Sequence, residues 1–376
     1  MLANGHESYI AYGRGDRPSK SQLIRIGRQS DVYLHGLKTL LLDRHGFGSR
    51  RPTAQLIQEI ERIQPDVIGL HNLHGYYLHI GVLFEYLKES GIPVLWTLFD
   101  CWAFTGHCSY FDDIQCEKWL THCQQCPKSR NYPKAYVDNS FQNFEDKRRL
   151  FTGLKNLELI VHSNWLAGLV KQSFLKDYPV HVTPSAIDLD VFKSTRSDLR
   201  ERYGFQDKKI ILGCASIWSN RKGYYDFIAL RQLLNSSYQI VMIGLKKKEI
   251  RQLPDGILGI QRTESIEELA QWYTLAHVFV NPTSQDNFPT TNLEALACGT
   301  PVVTYNTGGS PEAIDEETGF VVEKGDVKGI VRAVETLSSM NYEDLSSACR
   351  DRAKQLYDKK TRYLDYLDIF ERMLNS

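Results

Sequence analysis

The sequence predicts an α/β protein built as two doubly wound halves, and three observations predict it. Segments with strand and helix character alternate nearly throughout, as in parallel sheets covered by helices. The rhythm halts in one charged, turn-rich stretch, "IDLDVFKSTRSDLRERYGFQDKK" (187–209), and then restarts. At 376 residues the chain exceeds one ordinary core and suits two domains. The expected layout is residues 1–186, a linker at 187–209, and a second domain at 210–358. A last helix over 359–376 is expected to pack back on the first. Both domains are expected to be Rossmann-like and to face a cleft.

Each element follows from local pattern. "ESYIAY" (7–12) reads as a short strand. "TAQLIQEIERIQ" (53–64) has helical spacing and stops at Pro65, and the apolar "DVIGL" (66–70) follows as a buried strand. "YLHIGVLFEYLKESG" (77–91) is a helix closed by Gly91, and "IPVLWTL" (92–98) is the next strand. "LELIVHS" (157–163) and "PVHVTP" (179–184) complete the first half. Beyond the linker the strands are expected at 210–216, 238–244, 257–262, 277–282, 301–305 and 319–322, with helices between them. The chain ends in an amphipathic helix, "TRYLDYLDIFERMLNS".

Composition narrows the function classes. Lys plus Arg and Asp plus Glu both number 45, so no global field draws in nucleic acid, which is excluded as an expected partner. No apolar run reaches the roughly 18 residues of a spanning helix, and no signal peptide opens the chain. The expected compartment is the cytoplasm, with peripheral contact at the inner face of the cytoplasmic membrane left open.

The stretch most charged with chemistry is "DNFPTTNLEALACGTPVV" (286–303). Pro282 stops the strand before it, so "TSQDNFP" forms a loop at a strand's carboxyl end, where doubly wound sheets bind ligands. A short helix follows, with Thr290 or Thr291 as N-cap and Gly299 just past its end. Asp286 then lies in the loop and Glu294 in the first turns of the helix. The amides of 287–291 form an anion or hydroxyl site at a helix N-terminus. The plainer reading is that Glu294 complements the helix dipole and Asp286 caps a loop. Against it stands "NTGGSPEAI" (306–314), a second glycine-bearing strand-to-helix junction expected at the same cleft.

Together these residues carry a resemblance. "PTSQDNFPTTNLEALACGTPVVTYNTGGSPE" resembles the signature of the family-four retaining glycosyltransferases of two-domain B-type fold. Where that family usually has Glu-x7-Glu, this chain has Asp286 and Glu294. "HNLHGYYLHI", "WTLFDCWAFTGHC", "HSNWLA" and "RKG" fit its bacterial exopolysaccharide, capsule and O-antigen branch.

The resemblance implies that Glu294 holds the ribose hydroxyls of a nucleotide sugar. It implies that Asp286 and the positions after it (Asn287, Phe288, Pro289 and Thr290) face the donor, with Arg262 counted among the donor-binding residues. Lys222 matches the family's diphosphate-gripping Lys. The family's Arg falls on Ile217, and Arg221 is the candidate to replace it; a solvated turn is the plainer reading of Arg221 and Lys222. A nucleoside diphosphate leaving group needs positive charge and N–H donors, and no catalytic cofactor is expected.

Two departures stand out. The family's His-Asp after "WTL" becomes Phe99-Asp100, so Asp100 is kept and an imidazole is lost. His107 is the candidate catalytic replacement, with an ordinary partly buried role as its alternative. "MLANGHESYIAYG" matches the end of the family's first helix and its second strand, so the first strand and its glycine loop are expected to be missing.

Five cysteines crowd residues 101–126, and four of them, Cys108, Cys116, Cys123 and Cys126, are spaced to close a tetrahedral site. A structural zinc in an insert at about 101–135 is the expectation, and free thiols are the alternative. Cys101 lies outside this set, and Cys214, Cys298 and Cys349 read as small buried hydrophobes. The resemblance implies a retaining transfer of a hexose from a nucleotide sugar to a lipid-linked glycan, with acceptor on the N-terminal half and donor on the C-terminal half. A sugar-nucleotide epimerase of similar build and a non-catalytic partner in an assembly complex are the alternatives.

Overall fold

The computed structural model describes residues 2–15 and 18–375, which form two compact units. The first comprises Met1–His162, Leu166–Val182 and Asp365–Ser376; the second comprises Ser163–Trp165 and Thr183–Leu364.

In the first unit, β1 (Tyr9–Tyr12) and β2 (Gln22–Arg25) form a parallel pair of their own. A four-stranded parallel sheet follows in chain order: β3 (Ile68–His71), β4 (Val94–Leu98), β5 (Leu157–Val161) and β6 (Val180–Val182). All five residues of β4, "VLWTL", are buried, as a strand covered on both faces must be. The helix Ile80–Ser90 starts where the His79 side chain accepts the Val82 N–H at 3.2 Å, and it ends at Gly91 in the left-handed region. Its Phe84 packs with Trp96 and Phe151 at ring centroids of 4.5–5.3 Å. Along Lys359–Leu374 the apolar spacing of Ile369 and Met373 buries both against Leu95 and Ile160.

The second unit holds a six-stranded parallel sheet. Its strands are β7 (Lys209–Cys214), β8 (Tyr238–Ile243), β9 (Ile257–Ile260), β10 (Val278–Asn281), β11 (Val302–Tyr305) and β12 (Gly319–Val322), in the order β12-β11-β10-β7-β8-β9. From β7 the chain winds outward to β9, returns to β10 beside β7, and winds the other way. That reversal is the topological switch point, where the loops after β7 and β10 diverge and leave a crevice. Both faces are covered. Leu212 and Phe279 pack into one core and Ile211 and Val280 into the other, following the two-residue period of a strand.

Residues 187–209 are not a linker, which corrects the sequence reading. Ile187, Phe192, Leu199 and Phe205 are buried in a core of the second unit, and Leu199–Arg202 is a helical turn. Their charged neighbours mask this apolar spacing. Cys298 and Cys349 are buried, and Cys214 is partly so. Among the described residues no helix is long and apolar enough to cross a membrane.

Candidate active site

The switch point of the second unit brings the two loops named from sequence together. Lys222 follows β7, Asp286 follows β10, and Lys222 Nζ donates to Asp286 Oδ2 at 2.5 Å. Both side chains are about a fifth exposed, at 22% and 17%. The approach requires glycine next door. Gly223 has φ +74°, and a Cβ there would fall 2.3 Å from the Pro282 ring. Arg221 stitches the same loops: its guanidinium donates to Gln285 O at 2.7 Å, and its carbonyl accepts from Ser284 N–H at 2.8 Å. Arg221 thus positions the loop and leaves Lys222 as the mobile-stemmed cation beside Asp286.

The glycine loop after β11 closes from the other side. Gly309 N–H donates to Asp286 O at 3.3 Å, and a Cβ on Gly308 would lie 1.8 Å from that same oxygen. Asp286 is therefore fixed at its carbonyl and its carboxylate together.

The helix Thr290–Ala297 has Pro289 as its N-cap, with no side-chain cap, so the expectation of a threonine cap is corrected. The first-turn N–H groups of Thr290 and Thr291, which no side chain caps, can donate to an anion or a hydroxyl oxygen. Thr290 is exposed there. Pro289 has no N–H and drops out of the donor set. The Phe288 side chain also drops out, because it is buried in the core, 6.0 Å from the Tyr357 ring. Asn287 is buried, and its Oδ1 accepts from Ser163 Oγ at 2.6 Å. Arg262 follows β9, the edge strand two places from β7, and is exposed.

Glu294 lies further along the same helix. Tyr273, fully buried, donates its hydroxyl to Glu294 Oε2 at 2.8 Å, and Oε1 has no bonded partner among the described residues. Burial raises the carboxyl pKa to about 7, against the opposing pull of the Tyr273 hydrogen bond. A carboxylate with one oxygen anchored and one free is suited to accept from a diol.

Beneath these groups runs a buried polar ladder that sequence reasoning missed. Asn281 Nδ2 donates to Asn292 Oδ1 at 2.8 Å, Asn292 Nδ2 to Ser310 Oγ at 3.2 Å, and Thr304 and Ser310 hydroxyls meet at 2.6 Å. It ties β10, the Glu294 helix, β11 and the glycine loop into one rigid support. A polar residue at the end of each apolar strand run was the available signal.

In the first unit a second cluster forms at the carboxyl ends of β3 and β4. Asp100 Oδ2 lies 3.2 Å from His74 Nε2, and Oδ1 accepts the Trp102 N–H at 2.9 Å. Burial works to raise the Asp100 pKa, but His74 and the Trp102 N–H outweigh it and the net shift is downward. His45, Tyr76 and Tyr132 surround this pair with ring centroids 4.7–6.4 Å apart. Tyr76 has φ +65°, a strained conformation for a bulky residue that marks functional loops more often than frameworks. Phe99 is 42% exposed, 5.1 Å from the His162 ring and 6.2 Å from that of His71. His74 sits in the "HNLHGYY" motif but was given no role from sequence.

His107 does not join Asp100. Its Nδ1 bonds Asp43 Oδ1 at 2.5 Å, and neither side chain has any exposure, so it cannot reach a sugar and its catalytic reading is corrected. Cys108, Cys116, Cys123 and Cys126 line one small cavity with it.

At the switch point, then, a lysine, helix N–H groups and a half-free carboxylate can hold an anionic leaving group and a diol. Residues 208–340 match the family described as glycosyl transferases group 1. The chain carries a group 1 glycosyltransferase domain. This glycosyltransferase domain contains Lys222, Asp286 and Glu294. Over 390 residues the chain is 22% identical to the putative colanic acid biosynthesis glycosyl transferase WcaC of Escherichia coli K12, covering 99% of this chain and 94% of that protein. Sucrose-phosphate synthase from Thermosynechococcus elongatus superposes with a TM-score of 0.72 at 16% identity, covering 100% of this chain and 90% of that one. Anabaena HepE, solved in complex with UDP-glucose, gives 0.63 at 15% identity, covering 85% and 82%. The fold is the two-sheet B-type glycosyltransferase architecture.

Proposed function

We propose that this chain transfers a hexose from a nucleotide sugar to a lipid-linked glycan, with retention, during synthesis of a bacterial surface polysaccharide. The observation that carries the reading is the convergence of Lys222, Asp286 and Glu294 on loops and a helix at the switch point. Glu294 Oε1 accepts the ribose hydroxyls while Tyr273 holds Oε2. The diphosphate takes Lys222 Nζ, aided by the first-turn N–H groups of the Thr290 helix, and Lys222 thereby leaves Asp286. Asp286, released from the ion pair but still fixed at its carbonyl, then faces the donor sugar. Charge developing on the departing diphosphate is stabilised by donors already in place. The first unit binds the acceptor in this reading, and Asp100, oriented by His74, is its candidate catalytic carboxylate.

Polysaccharide synthesis is supported by the likeness to WcaC across nearly the whole chain. Retention rests on the resemblance to the retaining family. A lipid-linked acceptor, and peripheral work at the cytoplasmic face of the membrane, are supported by the helix Gln29–Leu42. It leaves Tyr33, Leu34, Leu37, Leu41 and Leu42 between 47% and 70% exposed. Leu34, Leu37 and Leu41 share one face, as an interfacial helix requires.

The test is product analysis by mass spectrometry after the chain is incubated with UDP- and GDP-hexoses and a polyprenyl-diphosphate-linked acceptor. Acceptor mass raised by one hexose is expected, abolished by Lys222→Ala. Conversion of the nucleotide sugar to its epimer with no acceptor-dependent product would overturn the reading.

A further inference from the structure

Between β4 and the helix Ser140–Phe151 the first unit carries a long segment with only three short 3-10 turns. Its apolar support is small: Trp119 stacks on Phe111 at 5.0 Å and meets Phe104 at 5.3 Å. The segment is nonetheless folded around one cavity lined by Cys108, Cys116, Cys123 and Cys126, with Cys108 and Cys126 in hydrogen-bond contact.

Two buried nitrogen-bearing side chains stand at that cavity. His107 lines it, its Nδ1 held by Asp43, and its Nε2 is buried with no hydrogen-bond partner among the described residues. An imidazole fixed by a carboxylate, with its second nitrogen buried and unbonded, is a polar group that the fold as it stands leaves unanswered at this cavity. Lys147 is buried, donates to Trp102 O at 2.8 Å and to Thr105 O at 3.0 Å, and lies 3.6 Å over the Trp102 ring. Thr105 also lines the cavity. The hydrogen-bond partners of Lys147 are carbonyls, and an anionic centre in the cavity would give this buried amine a neighbour of opposite sign.

We propose that this cavity is a structural site for a divalent cation of the zinc class, ligated by the thiolates of Cys108, Cys116, Cys123 and Cys126. Among the described residues no three donors already stand as a finished ligand set. The cation therefore draws inward four sulfurs that already face one space. Each thiol gives its proton to solvent on binding, and the resulting centre carries two negative charges. The buried Lys147 amine lies beside this centre, and His107, oriented by Asp43, lines the same cavity. Four thiolates leave no open coordination position, so the site holds residues 101–135 in shape and takes no substrate. It places the Asp100–Trp102 turn at the start of a metal-stapled segment.

The experiment uses the full chain without a histidine tag, expressed in zinc-replete medium. Elemental analysis should find about one zinc per chain. Exchange with Co2+ should give the charge-transfer and d–d absorption of a tetrahedral thiolate centre. Cys126→Ser should lose the metal, whereas Cys349→Ala, a buried thiol of the second unit, should keep it. Asp43→Asn leaves all four sulfurs but loosens His107 and the Asn139 N–H that Asp43 Oδ2 accepts at 2.9 Å, and should weaken metal affinity about 10- to 100-fold. Should a cysteine variant fail to fold, the wild-type metal content and cobalt spectrum decide alone. A folded wild-type chain that stays metal-free after reconstitution, with these four thiols titrating freely, would overturn the proposal, as would a Cys126→Ser variant with undiminished metal content.

Discussion

Glu294 is the residue whose chemistry departs furthest from its ordinary range, and the departure sets a pH dependence. Its pKa rises from the 4.5 of an ordinary glutamate to about 7 in the fold. Below pH 4.5 folded and unfolded states are both protonated there. Between 4.5 and 7 the folded state keeps a proton that the unfolded state releases, so stability falls as pH rises, and above 7 the loss is complete. The ceiling is about 3 kcal/mol, less in practice because part of the carboxyl still meets water. Glu294→Gln should flatten this slope in urea unfolding measured from pH 5 to 8, making the unliganded variant more stable than wild type at pH 8. The same change should weaken nucleoside diphosphate binding by about 1.5–3 kcal/mol, since a charged acceptor for ribose hydroxyls is lost. Unchanged affinity by calorimetry would remove Glu294 from the ribose. Tyr273 explains why the carboxyl is tolerated at all: one hydrogen bond is too little to keep it ionised at low pH and enough to keep it oriented.

At the scale of elements the site depends on backbones that approach too closely for side chains. Gly308 has φ +54° and would put a Cβ 1.8 Å from Asp286 O, whereas Gly325, at φ +83°, has nothing within 4 Å of its Cβ position. Gly325→Ala should therefore cost only the left-handed backbone term, about 1 kcal/mol. Gly308→Ala should cost that plus the displacement of the Asp286 loop, about 2–3 kcal/mol in all, and should also reduce nucleotide affinity. Paired denaturation curves and binding isotherms check this, and equal costs at the two glycines would refute the close-approach argument. The strands were largely legible in the sequence because buried parallel strands are short apolar runs bounded by Gly, Pro and Asn. β2 was not, since "QLIR" is mostly exposed and pairs only with β1. The 187–209 segment misled because its four buried residues are scattered among charges. Lys222, Asp286 and Glu294 could each be named from local motif. The ion pair between the first two could not, because it depends on β7 lying beside β10, a nonlocal choice of strand order. His74, held against Asp100 from a different strand's loop, was hidden for the same reason. His107 looked available because a sequence shows proximity to Asp100 but not the Asp43 that captures it.

Across the whole molecule, the groups fitted to the donor nucleotide lie in the second unit, and Asp100, His74 and Phe99 lie in the first. Binding and turnover should therefore respond to different substitutions. Phe99 lies near the rings of His71 and His162 after β4, partly open to solvent, at the position where the family resemblance implies a sugar-contacting histidine. A phenyl ring offers no hydrogen bond to a sugar hydroxyl, and contacts made only in the transition state raise turnover without tightening the ground state. Phe99→His introduces such a donor at a position exposed enough to admit it without repacking. Its expected effect on hexose transfer is a rise in kcat of about 10- to 100-fold, the range of one hydrogen bond to a charged group, with diphosphate affinity unchanged. Glu294→Gln should show the reverse division, with nucleotide affinity falling before turnover at saturating donor. Both are read in one experiment, initial transfer rates across donor concentration for wild type and each variant, alongside calorimetry with the diphosphate alone. Wild-type rates that Phe99→His leaves unmoved would mean that His71, His162 or His74 already supplies the donor and that the phenyl ring is a neutral neighbour. A rise in affinity instead of kcat would place Phe99 against the bound donor itself and would end the division of labour between the units.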